Sequence, residues 1–295
     1  MPNWLMIIEA INSATQTDEL YHSAPPVSGG DINSAYQLIM QSNKKYFVKL
    51  NQPSLIGMFI AEFSALIELD NCQSIGSPAP LCYGTTDNNS FIVMEYLPLQ
   101  ARGNHFTFGQ NLAKMHQISQ QKYGWKLNNT IGSTPQSNLF CDNWLEFYKT
   151  QRLIPQFELL YQKGYQGQLK KQADYLLAGL EDFFQGHKPI ASLLHGDLWS
   201  GNYAFDGEGR GVIFDPALYY GDRETDIAMT ELFGGFSVDF YRGYQEQFPF
   251  ADNHKQGYTK RKPMYNLYHI LNHANLFGGS YLHQALTMME QLTKN

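Results

Sequence analysis

The octapeptide His195-Gly196-Asp197-Leu198-Trp199-Ser200-Gly201-Asn202, followed after a short apolar run and a turn by Ile213-Phe214-Asp215-Pro216, constrains this 295-residue chain more than any other stretch. Three apolar runs, Ser192 to Leu194, Tyr203 to Phe205 and Val212 to Phe214, are too short for helices and are separated by turns rich in Gly and Asp. Such runs fold back on one another as short strands. Asp197, Asn202 and Asp215 then sit at strand ends, where a rigid apolar frame can aim them. The competing reading makes them turn residues that satisfy local backbone groups.

Domains usually hold roughly 100 to 150 residues, so two lobes or one large domain are expected. Trp4 to Ala14 has helical spacing, and Pro25 and Pro26 interrupt any continuation. A glycine turn from Ser28 to Asn33 leads into Ala35 to Met40 and, after a polar turn, Tyr46 to Leu50, which reads as a β-hairpin. Phe59, Phe63, Leu66 and Ile67 recur at helical spacing around Glu62, and Leu81 to Gly84 with Ser90 to Tyr96 reads as a second strand pair. The spacing thus predicts an amino-terminal sheet with one helix over residues 1–97. A mainly helical part over residues 98–295 includes helices at Trp144 to Leu160 and Gln168 to Phe184, with the polar stretch Asn128 to Asn138 as a separator.

Phosphoryl transfer from ATP needs a carboxylate beside the acceptor hydroxyl and oxygen ligands for Mg²⁺ against the phosphates. An Asp, an Asn five residues on and a second Asp after an apolar strand meet that need. The same chemistry calls for a cation upstream to hold the phosphates and a helix carboxylate to position it. Lys49, in the strand after the glycine loop, and Glu62, on the next helix, stand in that order. Gly29 and Gly30 do not make GxGxxG, but their position lets backbone N–H groups approach phosphate oxygens. Beyond the strand Phe91 to Met94, the backbone at Glu95 and Leu97 is placed to bond an adenine edge, with Met94 bordering the pocket; the plainer reading is a strand that stops at Pro98.

The Asp197 loop and Asp215 resemble the catalytic loop and metal-binding Asp of the protein-kinase-like fold. The strings SGGDIN, YFVKLN, FGQNLAKMHQ, YGWKLNNTIGSTPQSN, LLHGDLWSGN, IFDPALYYGDRETDIAMTELFGGF and YNLYHILNHANLFGGSY together resemble the fructosamine kinase (ketosamine 3-kinase) family, from about Ser28 to Tyr281. The resemblance implies a two-lobed α+β protein-kinase-like fold with ATP and Mg²⁺ in the cleft. The implied enzyme phosphorylates the 3-hydroxyl of a ketosamine, free or on a protein lysine, after which the unstable adduct falls off. It makes Asp197 the base, Asn202 and Asp215 the Mg²⁺ ligands, and Lys49 the phosphate-holding lysine oriented by Glu62. In a loose transition state Asp197 acts chiefly by orienting the hydroxyl, and His195 braces the loop. Pro216 and Ala217 replace the Phe and Gly of protein kinases, and Leu218 to Asp226 is too short for a phosphorylatable activation loop. The glycine loop holds no cysteine for a thiol switch.

A hydroxyl-rich acceptor needs an aromatic face and hydrogen-bonding partners. Trp199 is a candidate face and Asn272, His273 and Asn275 candidate partners, against the alternative that all four are packing or capping residues. Arg223 and Asp226 read as an internal charged pair or a cap that steadies the metal loop, and His116 as a satisfied core histidine. Other readings of the whole chain are a kinase for an aminoglycoside, choline or another small hydroxyl compound, and a nucleotide-binding pseudokinase.

With 21 Lys and Arg against 27 Asp and Glu, the net charge is −6. The one basic run, Lys260-Arg261-Lys262, reads as a solvated loop, so neither nucleic acid nor an anionic membrane is an expected partner. Three cysteines without CxxC spacing suggest reduced thiols. The first residues lack the basic flank and apolar stretch of a secretion signal, and a cytoplasmic monomer is expected.

Overall fold

The computed structural model describes residues 2–27, 32–250 and 254–294. Gly29 and Gly30 lie outside the described residues. The chain forms two compact units, Met1–Asn104 with Tyr203–Pro216, and His105–Asn202 with Ala217–Asn295.

The first unit runs α1 (Trp4–Thr15), β1 (Tyr21–Ser23), β2 (Pro26–Val27), β3 (Ser34–Met40), β4 (Lys45–Asn51), α2 (Ile56–Cys72), β5 (Pro80–Thr85) and β6 (Ser90–Glu95). The strands form one antiparallel sheet in the order β1-β3-β4-β6-β5, with β2 beside β3. Side chains alternate across a strand, and β4 uses both faces. Tyr46, Val48 and Leu50 pack with Ile7, Ile8 and Ile11 of α1. Phe47, from the other face, packs with Phe59 and Leu66 of α2 and with Ile92 and Met94 of β6. Burial of such a side chain is worth about 1.5–3 kcal/mol, so the two cores fix which way each residue of β4 points. Lys49, two residues from Phe47, is thereby committed to the α2 side.

The second unit begins with α3 (His105–Gln117), β7 (Ser119–Gln120), β8 (Asn129–Ile131), β9 (Thr134–Gln136), α4 (Trp144–Tyr148), α5 (Ile154–Gln162), α6 (Gln168–Ala178) and β10 (Ala191–Leu194). The hairpin β11 (Tyr203–Phe205) and β12 (Gly211–Ile213) then joins the first unit, through bridges from Phe205 to Gln100 and from Val212 to Gly76. The second unit resumes with β13 (Tyr219–Gly221), α7 (Glu224–Thr230), α8 (Val238–Gln247), α9 (His254–Phe277) and α10 (Ser280–Lys294). Its three-stranded sheet is ordered β13-β10-β7.

Three sequence expectations are corrected here. The helix expected over Trp144 to Leu160 is broken by a π-helical turn, Lys149–Leu153. Pro155, at the start of α5, donates no N–H and crowds the preceding turn. The wide turn also carries Arg152 into the core, stacked 4.0 Å from the Tyr219 ring and 4.7 Å from Phe147. The polar separator Asn128 to Asn138 contains the β8–β9 hairpin. The basic run Lys260-Arg261-Lys262 is helical, and Arg261 is buried with two bonds to Glu224, at 2.7 and 2.8 Å. Among the described residues no helix is long and apolar enough to cross a membrane.

Helices α3 and α8 cross at two glycines. A Cβ on Gly109 would lie 2.0 Å from the Phe240 carbonyl oxygen, and one on Gly243 would lie 2.0 Å from that of Phe106. Gly109→Ala is expected to cost about 1–3 kcal/mol, seen as a lower urea midpoint with an unchanged m-value. A wild-type midpoint would mean that the two helices separate at no cost.

Candidate active site

In the first unit the alternation of β4 and the helical period of α2 bring Lys49 and Glu62 together. Lys49 Nζ donates to Glu62 Oε1 at 2.5 Å and also to Asp215 Oδ1, from a residue 166 positions later. Burial alone would push the Lys49 ammonium down, but Asp215 and Glu62 outweigh it and hold the group above its ordinary value. Burial pushes the Glu62 carboxyl up, an effect that Lys49 partly offsets. Asp215 differs from Glu62 in that its side chain is 47% exposed. It also adopts φ +58°, a left-handed conformation uncommon outside glycine, two residues after the end of β12. Met94 is buried in the α2-side core, Glu95 ends β6 with its N–H donated to Ala79 O at 2.8 Å, and Leu97 follows outside the strand.

In the second unit one buried carboxylate organises the Asp197 loop. Asp226 Oδ2 accepts the His195 N–H at 2.7 Å, and Oδ1 accepts the Gly196 N–H at 2.9 Å. Gly196 has φ +84°, and a Cβ there would lie 2.1 Å from Ala217 O, so the loop's entry requires glycine. Burial would raise the Asp226 carboxyl, but the hydrogen bonds it accepts, from His116 first and then from the Gly196 N–H, hold it below its ordinary value. Burial in turn keeps His116 neutral. Its Nε2–H donates to Asp226 over 3.1 Å, and its Nδ1 accepts from the Tyr244 hydroxyl over 2.7 Å. His116 is thus the satisfied core histidine expected. Asp226 pairs with His116 rather than with Arg223, whose guanidinium donates to Phe248 O and Pro249 O at 2.7 and 2.9 Å.

Within the loop, His195 Nδ1 accepts the Asp197 N–H at 3.2 Å, the bracing role expected of it. Asn202 Nδ2 donates to Asp197 O at 2.8 Å and to Asp197 Oδ2 at 3.2 Å. The β8–β9 hairpin secures the backbone two and three residues after Asp215. Asn129 Nδ2 donates to Leu218 O at 2.8 Å and Gln136 Nε2 to Ala217 O at 3.2 Å. Asn138 and Tyr268 complete this network through Asn129 Oδ1 and Gln136 Oε1.

Of the proposed acceptor residues, Trp199 and His273 share an aromatic surface through Phe233, with ring centroids 6.2 and 5.0 Å from it. Phe233 follows an otherwise helical run, and nothing in its spacing marked it. Asn272 and Asn275 are spent elsewhere. Asn272 Nδ2 donates to Ile131 O at 3.3 Å, and Asn275 Nδ2 donates to Gln156 O and Oε1 at 2.9 and 2.7 Å. Both are buried, so they tie α9 to α5 and to the β8–β9 hairpin instead of facing an acceptor. The residue that sequence reasoning missed is His269, buried on α9, whose Nδ1 lies 4.0 Å from Asp197 Oδ1.

A lysine held by a helix carboxylate in an antiparallel sheet, together with an Asp–Asn loop in a helical unit, defines a protein-kinase-like phosphotransferase. The chain belongs to the fructosamine kinase family, whose model matches residues 3–295. It is 43% identical over 292 residues to "Probable ketoamine kinase" of Synechocystis sp., covering 98% of this chain and 96% of that one. It is 38% identical over 268 residues to "Protein-ribulosamine 3-kinase, chloroplastic" of Oryza sativa subsp. indica, covering 90% and 77%. A crystal structure of a candidate fructosamine-3-kinase from Haemophilus somnus 129PT superposes with a TM-score of 0.89 at 27% identity, covering 98% and 97%. The fold alone is shared with APH(2")-IIa in its ternary complex with streptomycin and ATP, at TM-score 0.65, 14% identity and 99% and 97% coverage. The protein is therefore an ATP-dependent phosphotransferase of the ketosamine kinase class.

The buried histidines set a pH dependence. Burial pushes the His269 imidazole down to about 3, whereas in the unfolded chain it protonates near 6.5. Between these values the unfolded state binds the extra proton, so stability is complete above about pH 6.5 and falls as the pH drops toward 3. His269→Asn removes one such proton, and its stability should decline less steeply, by up to about 1.4 kcal/mol per pH unit. Urea unfolding at intervals from pH 7.5 to 4 checks this; parallel curves for both proteins would refute it.

Proposed function

We propose that this protein transfers the γ-phosphoryl group of MgATP to the 3-hydroxyl of a ketosamine, a fructosamine or ribulosamine, free or attached to lysine. The observation that carries the reading is Lys49 held between Glu62 and Asp215 in the first unit. Lys49 is the cation for the ATP phosphates, and Glu62 fixes its position. Residues 1–97 supply the nucleotide lobe, with Gly29 and Gly30 as proposed phosphate-binding residues, the backbone of Glu95 and Leu97 at the adenine edge, and Met94 at its border. Residues 98–295 supply the catalytic and acceptor lobe, apart from residues 98–104 and 203–216, which fold with the first unit and bring Asp215 to it.

The donor set fits Mg²⁺, which takes oxygen ligands and keeps several waters. Asp215 offers a half-exposed carboxylate, and Asn202 makes its bonds to Asp197 through Nδ2, leaving the amide oxygen as a donor. These two residues would hold the metal, whose chemistry is to neutralise the phosphate charge. Asp197 receives the acceptor hydroxyl and aligns it, and takes up its proton as the bond to phosphorus forms. Trp199 and His273, joined by Phe233, give the sugar an aromatic face. A phosphate at C3, next to the C2 carbonyl, leaves more readily than hydroxide. Its elimination followed by hydrolysis frees the amine, so the reaction serves deglycation. The free thiols support a cytoplasmic location, and the proposed state is a monomer.

The test is transfer from labelled ATP with Mg²⁺ to ribulosyl-lysine, fructosyl-lysine, choline and an aminoglycoside. Transfer to a ketosamine is expected, with Asp197→Asn lowering turnover by several powers of ten and leaving ATP affinity nearly unchanged. Transfer only to choline or the aminoglycoside would replace the acceptor class. ATP binding without transfer to any of them would point to a pseudokinase. Asp215→Asn should weaken Mg²⁺-dependent nucleotide binding, and unchanged Mg²⁺ dependence would move the metal site.

A further inference from the structure

His269 is 4% exposed, and its Nδ1 is enclosed without a hydrogen-bond partner. A buried polar nitrogen left unpaired costs about 1–3 kcal/mol, so its position needs a reason. The backbone of His269 is fixed from within α9, where its carbonyl accepts from His273 Nδ1 at 2.8 Å, and its ring packs edge-on against Tyr268. The Asp197 carboxylate faces that nitrogen, with Oδ1 at 4.0 Å, while Oδ2 is bonded by Asn202 Nδ2 at 3.2 Å. A displacement of about 1 Å brings Oδ1 within hydrogen-bond distance. Hydrogen bonds at catalytic groups are commonly long before the reactants bind and tighten afterwards.

We propose that His269 is a positioning residue for Asp197: its Nδ1–H donates to Oδ1 when the acceptor is bound, so that Asn202 and His269 together fix the plane of the carboxylate. The inference rests on the reading of Asp197 as the group that receives the acceptor hydroxyl. Burial is the main cause that keeps the ring uncharged, against the opposing pull of Asp226. A neutral donor orients the carboxylate without the full pull of a cation, which would lower its affinity for the hydroxyl proton. The bond requires the Nδ1–H tautomer, and only one atom of the ring has to be right. The amide nitrogen of asparagine falls close to Nδ1, whereas phenylalanine fills the ring volume with no donor.

The experiment compares His269→Phe, His269→Asn and Asp197→Asn in phosphorylation of ribulosyl-lysine, with ATP-induced thermal shifts to show that each variant is folded and binds nucleotide. His269→Phe should lower kcat about ten- to a hundredfold, the worth of one hydrogen bond to a charged group, with KM for ATP unchanged. His269→Asn should recover kcat to within a few fold of wild type. His269→Leu replaces the Phe variant if that one does not fold. Equal loss in folded Phe and Asn variants would assign His269 to packing, and wild-type kcat in His269→Phe would remove it from the reaction; either overturns the proposal. An inactive Asp197→Asn beside an unaffected His269→Phe overturns this inference alone, whereas an active Asp197→Asn overturns the reading beneath it as well. Imidazole ¹⁵N resonances give a readout independent of turnover: the Nδ1–H tautomer is expected, and the Nε2–H tautomer would refute the bond.

Discussion

The bond pair on Lys49 is the interaction on which the first unit depends. A buried ammonium is expensive unless it is paired and hydrogen-bonded, and here both partners are carboxylates. The arrangement is demanding because its three residues come from a central strand, a helix and a hairpin 166 positions away from the lysine. Two are committed by apolar packing of their own elements: Phe47 for β4, against Ile92 of β6, and Phe59 and Leu66 for α2. The third, Asp215, is held by backbone bridges of the hairpin and bears a left-handed φ. Strain of that kind, of order 1–3 kcal/mol, survives only where the surroundings determine the backbone. The two carboxylates are not equivalent. Glu62 is enclosed and stays with the lysine, while Asp215 is half exposed and retains a face toward other ligands.

The second unit solves a different problem with one carboxylate. Asp226 bonds the N–H groups of His195 and Gly196 and is itself bonded by His116. Its charge is stabilised by three donors, a setting that holds a carboxyl ionised despite burial. The loop that carries Asp197 is therefore hung from α7 and α3 by its backbone. The β8–β9 hairpin adds side-chain amides that bond the carbonyls of Ala217 and Leu218. Uncharged amides suit that task, since they satisfy buried carbonyls without importing a charge next to the reacting groups.

What the sequence made legible follows from the range of the forces involved. Lys49 and Glu62 could be placed because alternation and the helical period are local, and the Asp197 loop because its turns are rich in Gly and Asp. The π-helical turn and the burial of Arg261 were not legible, and Asp226 was legible as an internal brace but not in its partners. The cause of the Arg261 burial lies 37 residues away in Glu224, while that of the π-helical turn is local, in Pro155, but shows only as a disturbance of an otherwise helical pattern. Asn272 and Asn275 read as recognition residues because they are polar and near His273. On a helix three residues separate Asn272 from Asn275 and place both on one face, and that face meets Gln156. His273 falls between them in sequence and toward Phe233, Phe277 and Tyr281 in space.

The same helical geometry explains why α9 can serve packing and chemistry at once. His269 and His273 are four residues apart, one turn, and are linked by a side-chain bond to the carbonyl. Asn272 and Asn275 lock the opposite requirement, the attachment of α9 to α5. Rigid attachment matters here because phosphoryl transfer through a loose transition state leaves the protein little covalent chemistry and much positioning to do. A carboxylate already bonded by Asn202 within an anchored loop, and faced by a histidine on an anchored helix, loses little orientational freedom when the acceptor arrives. The cost of that order is met in folding, in the buried amides of α9 and the backbone bonds to Asp226, rather than in each turnover.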